Sequence, residues 1–554
     1  MKVRPVWVLG VAALALAWIC GPASADGFPV ADQVQDDAAP SAAHNPADDE
    51  YLVVWEYSWS AADHDIHARR LSGDGSPLTN RLSVAVSGIS ESRPDVAHNP
   101  VSGEYLVVFE YAASASDHHI YARRVDAYGS LVGSVIAVAA LTNFEARPRV
   151  AYNLDDDQYL VVWEHREGAG EFTQHDVRGQ RVAADGSLVG FAFSVTSGPL
   201  DEAAPAVAYG PAAGRYLVVW QDKGAGTGEY DLRGRLLDRA GGPAGAVLDL
   251  STWEYDQVAP DVAFDPGANR FLVVWEDHHW GYGADSDIYG RLVAGGGALV
   301  GGSFGISYNT ANHRTAPVAA FLPSAGEFLV AWEYAYSPTD HDVYRRRVGS
   351  DGSLPDEERA VSASGAEERA VAVAADGSWA ALVVWADERE FATHGSDVYG
   401  AVSAPWLLSG HVYSGFPGDV GTPLQGAGLE LYCSADLAVP GTLRAVTASG
   451  ADGAYALPAW DPCEYTNLIE ADPAGFSSTG AASDGARVVD PNWLQYVGPL
   501  DGAIRTGNDF WDLYDPAPGG WAGFAPDAWV SATTVTCSVE VSDVGTGLDV
   551  STAA

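Results

Sequence analysis

Nine of the fourteen histidines fall in short polar stretches: His64, His118, His119, His165, His175, His278, His279, His341 and His394. Asp63, Asp65, Asp117, Asp176, Asp277, Asp287, Asp340 and Asp342 lie beside them, with Trp59, Trp280 and Tyr282 close by. Imidazole, carboxylate and indole together suit hydrogen bonding and ring stacking on a ligand, the chemistry of a binding face carried on loops. Trp59, His64, His118, His278, His279, Trp280 and His341 are therefore the candidate ligand-binding residues. A transition-metal centre needs three or four convergent ligands, which no single stretch supplies, so no metal site is expected. The competing reading is that Asp-His pairs cap turns and recur because the stretches are copies of one another. No catalytic residue is assigned: a Ser-His-Asp signature, a Gly-rich phosphate loop, His-Glu-x-x-His and Cys-x-x-Cys are all missing.

The elements that must position these residues are repeats. Tyr51-Leu-Val-Val-Trp-Glu56 returns six times, and its aromatic residue falls at Trp55, Phe109, Trp163, Trp220, Trp275, Trp332 and Trp385. The steps are 54, 54, 57, 55, 57 and 53 residues, the signature of a repeat architecture. Each copy reads as four strands. The second is apolar on consecutive residues, as in a strand buried on both faces. Gly-Ser hairpins such as Asp74-Gly75-Ser76 and Asp351-Gly352-Ser353 join the third to the fourth.

Seven such units predict an all-β chain whose main part, residues 26–402, is a seven-bladed β-propeller. A β-solenoid is the runner-up, but its repeats are usually shorter. Copy seven ends without a fourth strand. Phe28-Pro-Val-Ala-Asp32 matches that position, and donating it would close the ring and remove an open edge. In such a meander the second-to-third loops and the sheet-to-sheet connections emerge on one face, which gathers the histidine stretches.

Residues 1–25 read as a signal peptide, with Lys2 and Arg4, an apolar run and Ala23-Ser24-Ala25 as the cleavage site. The expected location is secreted, extracellular or at the cell surface, with no transmembrane segment after cleavage. A net charge of −44 argues against a nucleic-acid partner, which would need a basic footprint. From about Pro405 the texture changes. Ser409-Gly-His-Val-Tyr-Ser-Gly415, Thr447-Ala-Ser-Gly-Ala-Asp-Gly-Ala-Tyr455, Glu464-Tyr-Thr-Asn-Leu-Ile-Glu470 and Gly507-Asn-Asp-Phe-Trp-Asp512 follow in order. Residues 516–554 read as the truncated start of an Ig-like β domain.

Residues 403–515 resemble the prealbumin-like β-sandwiches of bacterial surface proteins, the SdrD/CnaB-like family, on those four motifs. The resemblance implies either calcium in acidic loops or a Lys–Asn isopeptide bond. The first loop offers only Asp419, and no lysine follows Lys223, so the isopeptide is excluded and no cofactor is assigned, calcium included. In a domain of that kind Cys433 and Cys463 are expected to form a disulfide. The repeats themselves resemble secreted "YLVVWED…DIYGRR" propellers of multidomain surface proteins. The Asp-box motif of the sialidase family is absent.

Two further features recur within the copies. An aspartate opens most third strands (Asp65, Asp176, Asp231, Asp287, Asp342, Asp397), and arginine follows four residues later (Arg69, Arg123, Arg235, Arg291, Arg346). A glutamate follows the tryptophan (Glu56, Glu110, Glu164, Glu276, Glu333). Copy seven loses both, having Ala386 and Ala401, which predicts a Glu–Arg pair within a hairpin, for instance Glu276 with Arg291. The functional expectation is a non-catalytic binding or adhesion protein with an extracellular glycan or protein ligand. The alternative is an extracellular polysaccharide-active enzyme, a glycosidase or lyase, with its site at the channel mouth.

Overall fold

A computed structural model describes residues 27–514 apart from the short stretches 32–33, 61, 115, 141–142, 167–173, 197, 199, 224–227, 279–285, 309–311, 338, 419, 436, 460–464, 474–475, 484–485 and 498–507. The signal-peptide and Ig-like readings, and the candidates His279, Trp280 and Cys463, lie outside the described residues. Strands dominate, with one helical turn at Phe391–His394. Among the described residues no helix is long and apolar enough to cross a membrane. The chain divides into two compact units after Pro405.

In the first unit the described residues form seven four-stranded antiparallel sheets. In copy one the strands are Asp37–Asn45, Glu50–Ser60, Asp63–Ser72 and Leu82–Ala85. A single parallel bridge, Phe144 to His118, joins the second and third sheets. The seventh sheet takes Phe28–Ala31 as its outer strand, with Phe28 opposite Gly400 and Ala31 opposite Val398. First strands of successive sheets touch, and the seventh touches the first, so the contacts run round a cycle. This is a propeller arrangement.

The all-buried second strand follows from this stacking. Leu52 and Val54 pack with Val107 and Phe109 of the next sheet, while Tyr51, Val53 and Trp55 pack with Leu382 and Val384 of the preceding one. Alternate side chains thus serve opposite neighbours. The hairpin glycines are required by backbone shape, since Gly75, Gly129, Gly186 and Gly352 have φ of 86–87°.

Every first strand carries the same bulge, skipping two residues of register at positions such as Ala38/Ser41 and Val258/Asp261. Its second residue is left-handed without being glycine: Ala39, Arg93, Arg147, Ala204, Ala259, Ala316 and Ala370, at φ 45–55°. Such a conformation costs of order 1–3 kcal/mol and persists only when its surroundings fix it. The surroundings are the recurring glutamate of the preceding copy, whose carboxylate accepts the N–H of that residue. Glu56 serves Arg93 at 3.1 Å, Glu164 serves Ala204 at 2.6 Å, Glu276 serves Ala316 at 3.3 Å and Glu333 serves Ala370 at 2.6 Å.

This corrects the expected Glu–Arg pair. Glu276 lies opposite Ile288, whereas Arg291 lies opposite Val273, three residues away along the strand. Side chains three apart on a strand point to opposite faces. The arginine accordingly reaches the other way, to a carbonyl of the preceding sheet's outer strand: Arg69 to Val30 at 2.6 Å, Arg291 to Leu250 at 2.7 Å and Arg346 to Ile306 at 2.7 Å. Joint loss in copy seven reflects two separate seams, not one contact.

The second unit, residues 406–514, pairs a four-stranded sheet with a five-stranded one. Leu408, Val412, Tyr455, Leu457 and Phe510 of one sheet pack with Leu429, Leu431, Leu468, Leu494 and Tyr496 of the other. Cys433, on Gly428–Ser434, is disulfide-bonded.

Candidate functional site: the mouth of the ring

The first strands begin, and the second-to-third hairpins turn, at the same end of the ring. Pairing of Tyr57 with Asp37 and of Ser60 with Asp63 places both there in copy one. At this mouth the bulges line a cavity of about 360 Å³, bordered by Pro40, Pro94, Pro148, Pro205, Pro260 and Pro317.

Three of the seven residues that follow a bulge are charged, Asp95, Arg149 and Asp261, and the last two line this cavity. Arg149 donates across the ring to Asp261 at 2.8 Å and approaches Asp95 at 3.7 Å. Each aspartate is also held by a backbone N–H, Asp95 by Val150 at 2.8 Å and Asp261 by Ala319 at 2.9 Å. Burial opposes charge on Arg149, but Asp95 and Asp261 outweigh it and hold the guanidinium above its usual range. Burial raises Asp261 despite the arginine. The three groups bridge the channel at this level.

Most of the expected histidines are spoken for. His64 and His118 bond through Nδ1 to Glu56 and Glu110, the latter at 2.5 Å, and His278 bonds through Nε2 to Glu276 at 2.7 Å. These are the glutamates that hold the next sheet's bulge, so each imidazole is the third member of a chain N–H···Glu···His. Burial works against charge on Glu110, but His118 and Arg93 hold it below its usual range. Glu276 raises His278. His341 bonds to Glu367 of the seventh copy at 2.9 Å, and burial lowers it. Strand pairing also extends further toward the turn than the loop reading assumed. His64, His118 and His341 lie on their third strands, opposite Ser58, Ala112 and Ala335.

Trp59 stands apart from these. It is 54% exposed at the end of its strand, edge-on to Tyr57 at 5.4 Å. Tyr336 occupies the same place in copy six, four residues past the repeated tryptophan, and is 49% exposed. Its hydroxyl meets that of Tyr344 at 2.7 Å. Copy seven, between them round the cycle, has Arg389 at this place, bonded to Asp387 at 2.6 Å and lying over the Tyr399 ring at 4.1 Å. Trp59, Arg389 and Tyr336 therefore stand at the same offset from the repeated tryptophan in three successive copies, Arg389 just past the end of its strand. Trp59 is among the residues singled out from the sequence; Tyr336, Asp95, Arg149 and Asp261 are not. Aligning the copies on the tryptophan and on the bulge would have exposed all four.

In the second unit Glu470, Asp472 and Asp512 bring carboxylate oxygens within 4.8 Å of one another. Ser478 touches all three. Burial and the repulsion among these carboxylates raise both Glu470 and Asp512 above the usual carboxylate range. Asp419, the only acidic residue of the expected calcium loop, lies outside the described residues.

No protein-family model matches the chain, and no curated protein matches it. Among solved structures it is similar to a protein of unknown function from Dyadobacter fermentans, at 12% identity and TM-score 0.42, covering 57% of this chain and 97% of that one. It is also similar to the Hadza microbial sialidase Hz136 (10%, 0.41, covering 64% and 76%) and to an α-L-arabinanase of Penicillium chrysogenum complexed with arabinobiose (13%, 0.41, covering 68% and 98%). Likeness this distant bears on no detail of the present chain.

Proposed function

We propose that the chain is a secreted or cell-surface protein whose seven-bladed ring is a non-catalytic recognition head for an extracellular glycan. Residues 406–514 form a prealbumin-like stalk clamped by a Cys433–Cys463 disulfide. The observation that carries the reading is the pair of exposed rings, Trp59 and Tyr336, at equivalent positions flanking Arg389 on the mouth face. Flat aromatic faces beside hydrogen-bonding groups suit sugar rings, which offer both C–H faces and hydroxyls. The glutamates nearest the mouth are engaged by backbone N–H groups and imidazoles, which suits a scaffold better than proton transfer. No cofactor takes part in this reading.

An enzyme acting on extracellular polysaccharide is the second reading. Asp95 and Asp261 favour it: both break the repeat, both meet Arg149, and Asp261 lines the channel. A glycan array run beside a hydrolysis screen on the same sugars separates the two. Binding without turnover is expected. Turnover that disappears in Asp95→Asn and Asp261→Asn would establish the enzyme instead.

A further inference from the structure

The seam between the first and second sheets departs from its counterparts. In the seam between the seventh and first sheets, Val30 and Ala31 face Trp55 and Arg69 round a cavity of about 220 Å³. There the indole donates to Asp37 at 2.6 Å and Arg69 donates to the Val30 carbonyl at 2.6 Å. In copy three Trp163 likewise donates to Glu145. A step of 54 residues leads from these groups to Val84, Ala85, Phe109 and Arg123, where the cavity is about 560 Å³.

Phenylalanine is smaller than tryptophan and has no N–H. Glu91, the counterpart of Asp37 and Glu145, is 3% exposed and accepts the Ser87 hydroxyl at 2.6 Å on one oxygen. Its other oxygen, Oε2, is buried with no partner. Arg123 makes none of the carbonyl bonds of Arg69, Arg235, Arg291 and Arg346. Tyr111 and Tyr121, edge to face at 5.0 Å, complete an aromatic wall with Phe109. An orphaned acceptor, an arginine without its usual carbonyl partner and flat walls thus line a cavity larger than its counterpart beside Trp55.

We propose that this cavity binds a small aromatic acid bearing a ring N–H, of the indole-carboxylate class. The ring N–H takes the place of the missing tryptophan donor on Glu91. The ligand's carboxylate meets Arg123, and its ring lies among Phe109, Tyr111 and Tyr121. The reading is independent of the mouth face.

Titration of the full chain with indole-3-acetate tests it, the expected result being saturable binding with Kd below about 1 mM. Phe109→Trp, which restores both the bulk and the donor, should weaken that binding at least about tenfold while raising the thermal midpoint. Glu91→Leu removes the acceptor without enlarging the space and gives the same weakening, should the tryptophan variant not fold. Arg123→Gln should weaken indole-3-acetate by about tenfold and leave plain indole unchanged. Absence of saturable binding to the native chain, or equal binding by Phe109→Trp, would overturn the proposal.

Discussion

Two seams of the ring are made of the same strands but not of the same bonds. Between the fifth and sixth sheets Glu276 holds the left-handed Ala316, Arg346 reaches the Ile306 carbonyl, and the fully buried Arg314 meets Asp287 at 3.3 Å. Between the seventh and first sheets Ala386 stands where the glutamate would be and offers no acceptor to Ala39. There the chain itself closes the gap. Phe28–Ala31 joins the seventh sheet; Val30 receives Arg69 and the Ser396 carbonyl receives the Asp37 N–H at 2.6 Å, the same bonds that Arg346 and the Arg314 N–H make at the other seam. What repeats in this protein is the bonding between sheets. At the closing seam Phe28–Ala31 has taken over the place of the seventh copy's own fourth strand.

The largest effect should come from removing the takeover at the closing seam. Deleting residues 26–36 strips the outer strand from the seventh sheet, exposes the apolar surface that Val30 covers and strands Arg69. A loss of at least about 3 kcal/mol is expected, read as a lower midpoint in urea. An unchanged midpoint would mean that the ring does not depend on this strand.

The second unit relies on a covalent clamp where the ring relies on seams. The proposed pairing of Cys433 with Cys463 would close a loop of about 30 residues, worth roughly 3–4 kcal/mol in the chain-entropy view. Cys433→Ser should lower the unfolding free energy of that unit by this amount, read as a lower midpoint in urea. A peptide map linking Cys433 to any other cysteine would refute the pairing.

Within an ordinary seam the effect should be smaller. Glu276→Ala leaves the half-buried N–H of Ala316 without its carboxylate, at a cost of about 1 kcal/mol. A double-mutant cycle on Glu276→Gln and Arg291→Met should then show coupling within about 0.5 kcal/mol of zero, because the two side chains serve different neighbours. Strong coupling would restore the within-hairpin pair that the sequence suggested.

The pH dependence should also follow the seams. Burial pushes Glu91 and Glu368 up to about 7 and Glu202 up to about 8. An acid whose pKa is higher folded than unfolded binds more protons in the folded state. Its contribution is therefore greatest below the unfolded value and declines as pH rises through the folded one. Glu110 and Asp201, held low by hydrogen bonds, act oppositely and lose their contribution in acid. The thermal midpoint should thus fall between pH 5 and pH 8.5, by a few degrees, and Glu202→Gln should flatten that fall. A midpoint that rises over this window would contradict the assignment.

Much of the ring was legible because its period is carried by residues that must be identical in every copy. The second strand, the hairpin glycines and the spare Phe28–Ala31 are of that kind, each forced by burial or backbone shape. The reach of a side chain was not legible. Glu276 and Arg291 recur together, yet recurrence does not say which face of a strand a residue occupies once register is unknown. The histidines misled for a related reason. His64 and His118 sit beside aspartates in sequence, but their partners are glutamates on the adjacent strand. Tyr336, Asp95, Arg149 and Asp261 were hidden because nothing in their local sequence marks them. They stand out only against the equivalent positions of other copies.

The central claim, that the mouth face recognises a glycan through rings placed where the repeat varies, is tested most directly by one affinity comparison. A sugar found on the array is titrated into the native chain, Trp59→Ala and Tyr336→Ala, with Ser58→Ala as the neighbouring control. Weakening by about tenfold in each ring variant, none in the control and no release of reducing ends throughout is the predicted result. Equal affinity in all four proteins would place recognition away from the mouth and contradict the account.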